Sequence, residues 1–387
     1  MTFFEPLKNR ALENDKDSLV IEYMRFPLAV AVLLIHSFGT PIQIENLHQN
    51  VFTFNSFFDF FRIAISHVAC HFANPAFFLI SGFLFWRNCT KWNALTYKNK
   101  ILSRIKTILF PYCLWIILYI LPDFIAQVWD IVIHQKSFYN ILYYIYAIRD
   151  IHIFWDSVVW GGNYTNWLGQ PLSSTGPALG TLWFLRDLMV AMLFSPVTYY
   201  LIKKMGMAAI VILWIFYLSQ IWIPIHGFSI ECYFWFALGS FIAIKRHSLI
   251  ESMAKFIKPA TIAYTILFPI LVWNNGRIGD SVHTNQIMQI IYPFFVSAAV
   301  VVTFSVAHKI ADLGVFTIIP KFGAFSFFLY ASHFQILHKI EHVLPSIPDT
   351  IKFFLFPTIT TISSLIIYLL LNKFTPSLSS HLTGNRQ

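Results

Sequence analysis

Long apolar runs recur along the whole chain, each separated from the next by a shorter polar stretch. A helix crosses the bilayer core with about 20 apolar residues, and a window of that length finds ten such runs. This pattern predicts an all-α, polytopic integral membrane protein of about ten transmembrane helices, organised as one domain over residues 1–387. The predicted helices lie at residues 19–38, 66–86, 108–129, 182–202, 207–224, 230–244, 259–273, 286–307, 323–342 and 353–372.

The composition agrees with a membrane protein. Hydrophobic residues make up 57% of the chain and charged residues only 12%, with a mean hydropathy of +0.62, well outside the range of soluble domains. The net charge of +9 is typical of basic residues retained on the cytoplasmic side, so a nucleic-acid partner is not expected. The cysteines lack CxxC spacing and are expected to pack as small core residues rather than form disulfides or a metal site. They are Cys70, Cys89, Cys113 and Cys232.

Lysines and arginines are unevenly distributed between the predicted loops. With a cytoplasmic N-terminus, nineteen of the 27 fall on the cytoplasmic side and seven on the outer side. The positive-inside rule then places both termini in the cytoplasm. We expect a short cytoplasmic N-terminal segment, 1–18, with no cleaved signal peptide and no fused soluble domain.

Two long loops, 39–65 and 135–181, are then expected on the outer side, where they would roof an outward-opening site. The aromatic run 51–61 favours a segment lying on the membrane surface. Within the longer loop, residues 143–162 indicate an amphipathic or re-entrant helix. The Gly-, Ser- and Pro-rich stretch 168–180 indicates a flexible cover.

The first apolar run carries three ionisable residues, Glu22, Arg25 and His36. In an α-helix the steps from Arg25 to His36 make about three turns, so both lie on one face about 16 Å apart. Charged groups within a membrane are costly and normally face a protein interior or a watery cavity. Neutral imidazole is well suited to taking a proton from a hydroxyl, which makes His36 a candidate general base. The alternative is that Glu22 and Arg25 pair and snorkel to one membrane surface.

Most other ionisable residues within the runs fall in the predicted outer half. Adjacent Arg186 and Asp187 point about 100° apart on a helix, so each is expected to find a partner on another helix. His67 and His71 have metal-ligand spacing but lack an obvious third ligand, so interfacial histidines are favoured over a metal site. The outer-half residues are His36, His67, His71, Arg186, Asp187, Glu231 and His333.

Four stretches in order resemble one family, the bacterial acyltransferase-3 membrane proteins, which O-acylate sugars of surface polysaccharides. Glu22, Arg25 and His36 are similar to this family's acidic residue, Arg, ten residues and His. The stretch NPAFFLISGFLFW, at 74–86, resembles its Pro-x-Phe-Phe-x-x-Ser-Gly signature and contains Ser81.

The remaining two stretches lie later in the chain. TLWFLRDL, at 181–188, contains Trp183 and resembles the family's Leu-Trp-Phe-Leu segment. FSFFLYASHFQIL, at 325–337, is similar to its Ser-x-x-x-Tyr-x-x-His pattern. The family's cytoplasmic Arg-x-x-Arg motif is not present here as such, and Arg104 and Lys106 lie in the corresponding region instead.

The resemblance implies transfer of an acyl group, usually acetyl, from cytoplasmic acyl-CoA to a hydroxyl of a surface or lipid-linked polysaccharide. Acyl-CoA is then a co-substrate, and no cofactor or metal is expected. The implied partners are a glycan acceptor and membrane lipid, and the alternative to direct transfer is a separate extracytoplasmic partner protein that receives the acyl group. The implied location is the bacterial inner membrane. The implied roles are catalysis by His36, Arg25 and Glu22; substrate binding by Arg186, Asp187, Glu231, His333, Ser81 and Trp183; and donor binding by Arg104 and Lys106.

A membrane exporter or transporter of a glycan is the alternative function. Ten helices with a polar intramembrane stripe serve a transporter equally well. The sequence shows no similarity between its halves and no paired broken helices, which favours the enzyme.

Overall fold

Helices account for 80% of the structure, which confirms the all-α class. The computed structural model describes residues 16–39, 42, 44–49, 53–89, 91–133, 150–166, 168–245, 247–276 and 282–385. In chain order its α-helices are α1 (Lys16–His36), α2 (Ile44–Gln49), α3 (Phe54–Arg62), α4 (Ala73–Trp86), α5 (Ala94–Arg104), α6 (Phe110–Ile133), α7 (Trp183–Leu193), α8 (Ser195–Met205), α9 (Met207–Ser219), α10 (Ile230–Ile244), α11 (Leu249–Ala254), α12 (Ile257–Trp273), α13 (Val282–Asp312), α14 (Gly323–Val343), α15 (Asp349–Phe374) and α16 (Pro376–Leu382).

Five helical stretches among the described residues are long and apolar enough to cross a membrane. The stretch 180–205 makes a sixth if α7 and α8 are one span, bent by 59°. The bend lies at Pro196 in the first turn of α8, where proline lacks the N–H that would continue the helix. Three shorter apolar helices, α9, α10 and α12, accompany them. A polytopic membrane protein is therefore confirmed, while ten crossings stay a prediction. The five stretches are Lys16–His36, Phe54–Trp86, Ala94–Asp130, Gln286–Asp312 and Asp349–Phe374.

The second long stretch begins a dozen residues earlier than the apolar pattern predicts. Thr53 caps α3, and its hydroxyl accepts a hydrogen bond from the Ser56 amide at 3.2 Å. From there the helix continues through a π-helical turn, Ile63–Val68, and a 3-10 turn into α4. Residues 54–65 of the expected loop 39–65 are thus helical. The aromatic run was read as a surface segment, but Phe58 is buried while Phe54 is exposed.

Residues 150–180, hereafter the lid, fold into a defined structure. Strands β1 (Val158–Thr165) and β2 (Pro171–Gly176) pair in an antiparallel hairpin. At its tip the Asn166 side-chain oxygen accepts from the amides of Leu168 and Gln170, at 2.9 and 3.0 Å. The prediction of a flexible cover over 168–180 is therefore wrong. The expected helix over 143–162 lies outside the described residues up to 149, and from 150 onward the chain forms a 3-10 turn and β1.

Helices α4 and α10 touch backbone to backbone. A Cβ added at Gly82 would lie 2.1 Å from the Phe236 carbonyl oxygen, and one at Gly239 would lie 2.0 Å from that of Leu79. Only glycine permits this approach, which small residues commonly provide between membrane helices. The glycine of the Ser-Gly signature is therefore required by helix packing.

Helices α1 and α14 run side by side in the same direction. Near the start of α14, the Phe26 ring lies 5.0 Å from that of Phe322 and 6.1 Å from that of Phe325. Ten residues further along α1, the His36 ring lies 5.3 Å from the His333 ring. We call this line of contacts between α1 and α14 the seam. One end, near Phe26 and its neighbour Arg25, is the Arg25 end, and the other is the His36 end.

Candidate active site

Two histidines meet at the His36 end of the seam. Their ring centroids are 5.3 Å apart with the planes tilted by 34°, and the Phe334 ring meets the His36 ring edge-on, with 5.8 Å between the centroids. His36 is exposed, whereas His333 is fully buried. The pair therefore joins an accessible imidazole to one that is sealed in the helix bundle.

His333 is held by one hydrogen bond and has one free nitrogen. Its Nδ1 lies 2.6 Å from the Tyr330 carbonyl oxygen, and a carbonyl oxygen can only accept. Nδ1 therefore carries the proton, so Nε2 of the neutral ring is an acceptor. No group in the described part of the chain hydrogen-bonds to this buried Nε2. Since buried polar atoms are nearly always paired, an unpaired acceptor beside an open histidine indicates a functional site.

Thr181 adds a second unpaired polar atom near this pair. The Tyr330 hydroxyl donates to the Thr181 carbonyl oxygen at 2.7 Å, which joins α14 to the turn before α7. The Thr181 hydroxyl is buried and has no hydrogen-bond partner among the described residues. Sequence reasoning did not single out Thr181 or Phe334, although both lie inside stretches that carry the family resemblance.

Arg25 lies at the other end of the same seam. A Cβ placed on Gly323 would be 3.8 Å from an Arg25 guanidinium nitrogen, so Arg25 and His36 both face α14. Glu22 stands one turn before Arg25, and both residues are half-buried. The helical periodicity thus correctly places Arg25 and His36 on one face of α1, about 16 Å apart by helical rise.

Arg186 and Asp187 form a closed network at the start of α7. The Arg186 guanidinium donates to Asp187 through Nε at 3.0 Å and Nη2 at 2.9 Å. It also donates to the backbone oxygen and the hydroxyl of Thr175, at 2.7 and 3.2 Å, and to the Trp155 carbonyl. Asp187 in turn accepts from Ser229, the cap of α10.

This network corrects one expectation and confirms another. Arg186 and Asp187 were expected not to pair with each other, and that is wrong: a flexible arginine side chain folds back onto its neighbour although the two Cβ atoms diverge. Asp187 does find the expected partner on another helix, through the Ser229 cap. Both side chains are almost completely buried, and their bonds fasten the lid to the bundle. Substrate binding by either residue stays a prediction.

The remaining predicted substrate residues lie in three places. Glu231 is half-buried in the first turn of α10, two residues after the Ser229 cap. Trp183 opens α7 and lies 6.1 Å from the Phe78 ring. Ser81 is half-buried on α4, next to the Gly82 contact. Trp183 therefore lies on the helix that carries Arg186 and Asp187, Glu231 lies on the helix capped by Ser229, and His333 instead lies with His36.

A polar cleft of about 350 Å³ opens along one face of α5. The residues that line this cleft recur three and four positions apart, so they lie on one side of α5. Lys100 donates to the Phe85 carbonyl at the end of α4, where a cation is favoured by the helix dipole. Arg104 lines this α5 cleft, as a donor site requires, but the exposed Lys106 is not among its lining residues. The lining residues are Thr96, Asn99, Lys100, Ser103 and Arg104.

A separate ionic cluster joins the lid to the loop before α10. The Asp156 carboxylate contacts Nδ1 of His152 on one oxygen and Nδ1 of His226, at 2.7 Å, on the other. The hydrogen bonds from His152 and His226 lower the pKa of Asp156, and the Asp156 carboxylate raises the pKa of His152. Sequence reasoning missed this cluster because its partners are 70 residues apart.

The i, i+4 histidines make separate contacts. His67 Nδ1 lies 2.6 Å from the Asn275 side-chain oxygen, and its ring stacks on Phe38 at 3.9 Å. His71 meets the Tyr292 ring edge-on at 5.5 Å. Among the described residues, no group of three or more His, Cys, Asp or Glu side chains is arranged to hold a metal ion.

The apolar helices and the open histidine beside a buried one define a polytopic membrane protein with a candidate proton-transfer site. A model of the acyltransferase domain family matches residues 19–373, so the chain belongs to the acyltransferase-3 family. It is therefore a membrane acyltransferase. Neither a curated protein nor a solved structure matches the chain significantly.

Proposed function

We propose that this protein is an O-acyltransferase that moves an acyl group, in the simplest case acetyl, from acyl-CoA to a hydroxyl of a surface or lipid-linked polysaccharide. The observation that carries the proposal is the exposed His36 at the end of the α1–α14 seam, beside the unpaired nitrogen of His333. A histidine so placed is suited to general-base catalysis in a chain whose family transfers acyl groups.

The reaction needs one proton acceptor and one group that stabilises negative charge. In our proposal His36 takes the proton of the acceptor hydroxyl as its oxygen attacks the thioester carbonyl. The new C–O bond forms, the C–S bond breaks, and the proton passes to the departing CoA thiolate. The Arg25 guanidinium, with its planar fork, binds donor oxygens lower in the seam, and the half-buried Glu22 orients it.

The α5 cleft supplies a binding site for the anionic part of the donor. Lys100 and Arg104 lie on one helix face together with the amide of Asn99 and the hydroxyls of Thr96 and Ser103. Cations and hydroxyls in this arrangement suit phosphate groups, which accept several hydrogen bonds at once. The positive-inside count supports a cytoplasmic position for this cleft, on the side where acyl-CoA is available. Lys106 stays a proposed donor-binding residue on the turn that follows.

The direct test is turnover by the purified full chain in nanodiscs. Acetyl-CoA is supplied with a panel of p-nitrophenyl glycosides, free CoA is measured with a thiol reagent, and the glycosides are examined by mass spectrometry for an acetyl increment. We expect CoA release and glycoside acetylation that depend on each other. Export of glycan by cells that express the chain, with no acetyl transfer by the purified protein, would support a transporter and overturn the proposal.

A further inference from the structure

We propose that His333 is a positioning residue for His36: its Nε2 accepts the N–H of one His36 nitrogen, so that the other nitrogen is held as the base. The inference rests on the proposed acyl transfer and gives that site a second histidine. It follows from the contacts of the two rings and from the hydrogen bond that fixes the protonation of His333.

The first step is the tautomer. Nδ1 of His333 donates to the Tyr330 carbonyl on the same helix, which leaves Nε2 with a lone pair and no proton. This arrangement is built into α14, because the carbonyl belongs to the residue three positions earlier. A water or substrate hydroxyl is not needed to set it.

The second step is the distance between the nitrogens of His36 and His333. Imidazole nitrogens lie about 1.2 Å from the ring centroid, so nitrogens that faced each other across the 5.3 Å between the centroids would be roughly 3 Å apart, a hydrogen-bond distance. His36 is exposed and lies at the end of α1, and in our proposal its ring turns until one N–H meets Nε2 of His333. In the described part of the chain, no other side chain hydrogen-bonds to that nitrogen.

The third step is the chemical result. A base histidine in many hydrolases and transferases is held by a third group that accepts its other N–H and so fixes both tautomer and ring orientation. A carboxylate usually fills that position, but a buried carboxylate costs free energy unless it is paired. The neutral His333 provides an acceptor without adding a buried charge.

Titratable groups surround the pair on several elements. Just beyond the end of α1, Arg62, paired with Asp59, donates to the Phe38 carbonyl at 2.7 Å, and the His67 ring stacks on Phe38. His36 faces His333 from α1, and Tyr330 precedes it on α14 with its hydroxyl bonded to Thr181. Beyond Tyr330 lie Tyr112 of α6 and Asp187 of α7. Asp187 is occupied by Arg186 and Ser229, so His333 is the group positioned to orient His36.

The test compares His333→Leu, which removes the acceptor, with His333→Gln, which offers a carbonyl oxygen near the position of Nε2. His342→Leu, an exposed histidine on the same helix, is the matched control. The full chain in nanodiscs is assayed with acetyl-CoA and p-nitrophenyl glycosides over a range of pH. We expect His333→Leu to lower kcat by roughly 10- to 100-fold with KM for acetyl-CoA unchanged.

In the same variant the acid limb of kcat/KM should move to lower pH, because His36 loses the acceptor that stabilises its protonated form. His333→Gln should restore most of kcat and the position of that limb. A purely structural role would lower activity in both variants without moving the limb, and that result would overturn the proposal. Full activity in His333→Leu would do the same.

A second measurement does not depend on activity. Nitrogen-15 NMR of histidine-labelled protein, with His333→Gln to assign the signal, reports which nitrogen carries the proton. We expect a protonated Nδ1 and a bare Nε2 at His333; a protonated Nε2 would overturn the positioning role even in an active enzyme. If the tautomer is as expected but neither the unmodified protein nor any variant turns over acetyl-CoA, the proposed function fails instead, and the positioning role falls with it.

Discussion

Two polar pairs among the described residues, Arg186 with Asp187 and His36 with His333, differ in how completely their hydrogen bonds are satisfied. Arg186 and Asp187 are almost fully buried, and their hydrogen bonds are taken up by each other, the lid and the α10 cap. His36 and His333 touch, but one ring is open and the other keeps an unpaired nitrogen. A satisfied pair fixes structure, whereas an unsatisfied pair is available for a substrate.

If Arg186 and Asp187 fix structure, as this comparison holds, then removing one of them should destabilise the fold. Arg186→Met leaves Asp187 as an uncompensated buried charge and releases Trp155 and Thr175 of the lid. Removing one partner of such a pair typically costs about 3 to 5 kcal/mol. We therefore expect a large drop in the midpoint of thermal unfolding in detergent, with Lys339→Met, at an exposed site, as control. Normal stability with lost acyl transfer would instead favour the substrate-binding prediction.

The open pair should behave in the opposite way. His36→Gln should reduce kcat by about 100-fold or more, the usual contribution of general acid–base catalysis, and leave the thermal midpoint unchanged. Turnover of acetyl-CoA and unfolding are measured on the same preparation, beside His342→Gln. Unfolding without a specific loss of kcat would place His36 among the structural residues.

A substitution at Arg25 can show whether the seam needs a planar guanidinium group or only a positive charge. Lysine keeps the positive charge but cannot bind two oxygens with one planar group, so Arg25→Lys should express normally and lose about tenfold or more in kcat/KM, as expected for a charged hydrogen bond. Lys373→Arg, a charge-conserving change near the end of α15, is the control. Full activity of Arg25→Lys would show that Arg25 supplies charge alone or merely snorkels.

The α5 cleft should affect donor binding more than chemistry. Arg104→Ala removes a lining cation and should raise KM for acetyl-CoA about tenfold with little change in kcat. Lys98→Ala removes an exposed charge from the same helix outside the cleft. Equal effects of the two substitutions would mean that net charge, rather than the cleft, attracts the donor.

The smallest effect is expected at Asp156, which is bonded but lies near the surface. Its pKa is lowered from 3.8 by the His152 and His226 hydrogen bonds, so its contribution is present above pH 3.8 and lost as pH falls through the lowered value. The raised pKa of His152 contributes below pH 6.5, and this part is lost as pH rises through the raised value. The contact is therefore strongest between these limits.

Hydrogen exchange of residues 150–156 and 221–229 can measure this contact. Asp156→Asn should exchange about two- to fivefold faster than the unmodified protein near pH 5.5, and the difference should shrink near pH 8.5. A difference that is the same at both values would show that charge does not hold the lid to this loop.

Local pattern was sufficient for the all-α class and for the shared face of Arg25 and His36, because helical periodicity depends only on neighbours in sequence. It was insufficient for contacts between distant segments. Nothing near His36 in the sequence indicates that His333 would be its neighbour, although the family resemblance drew attention to both.

The lid shows a different cause of error. Its Gly, Ser and Pro content was read as flexibility, but Gly176 and Gly180 leave room for the Trp160 ring, which lies 2.4 and 2.6 Å from where their Cβ atoms would be. Glycine here is a packing requirement. The early start of α3 was missed because its polar residues lower the hydropathy of a segment whose phenylalanines pack against α15.

The glycine contact between α4 and α10 also has a mechanical consequence. With carbonyl oxygens lying against Gly82 and Gly239, the two helices touch through their backbones at these positions. We expect this close contact to resist sliding of one helix past the other. A displacement that lets a donor or product pass is then expected where helices meet through side chains, as α1 and α14 do at the seam.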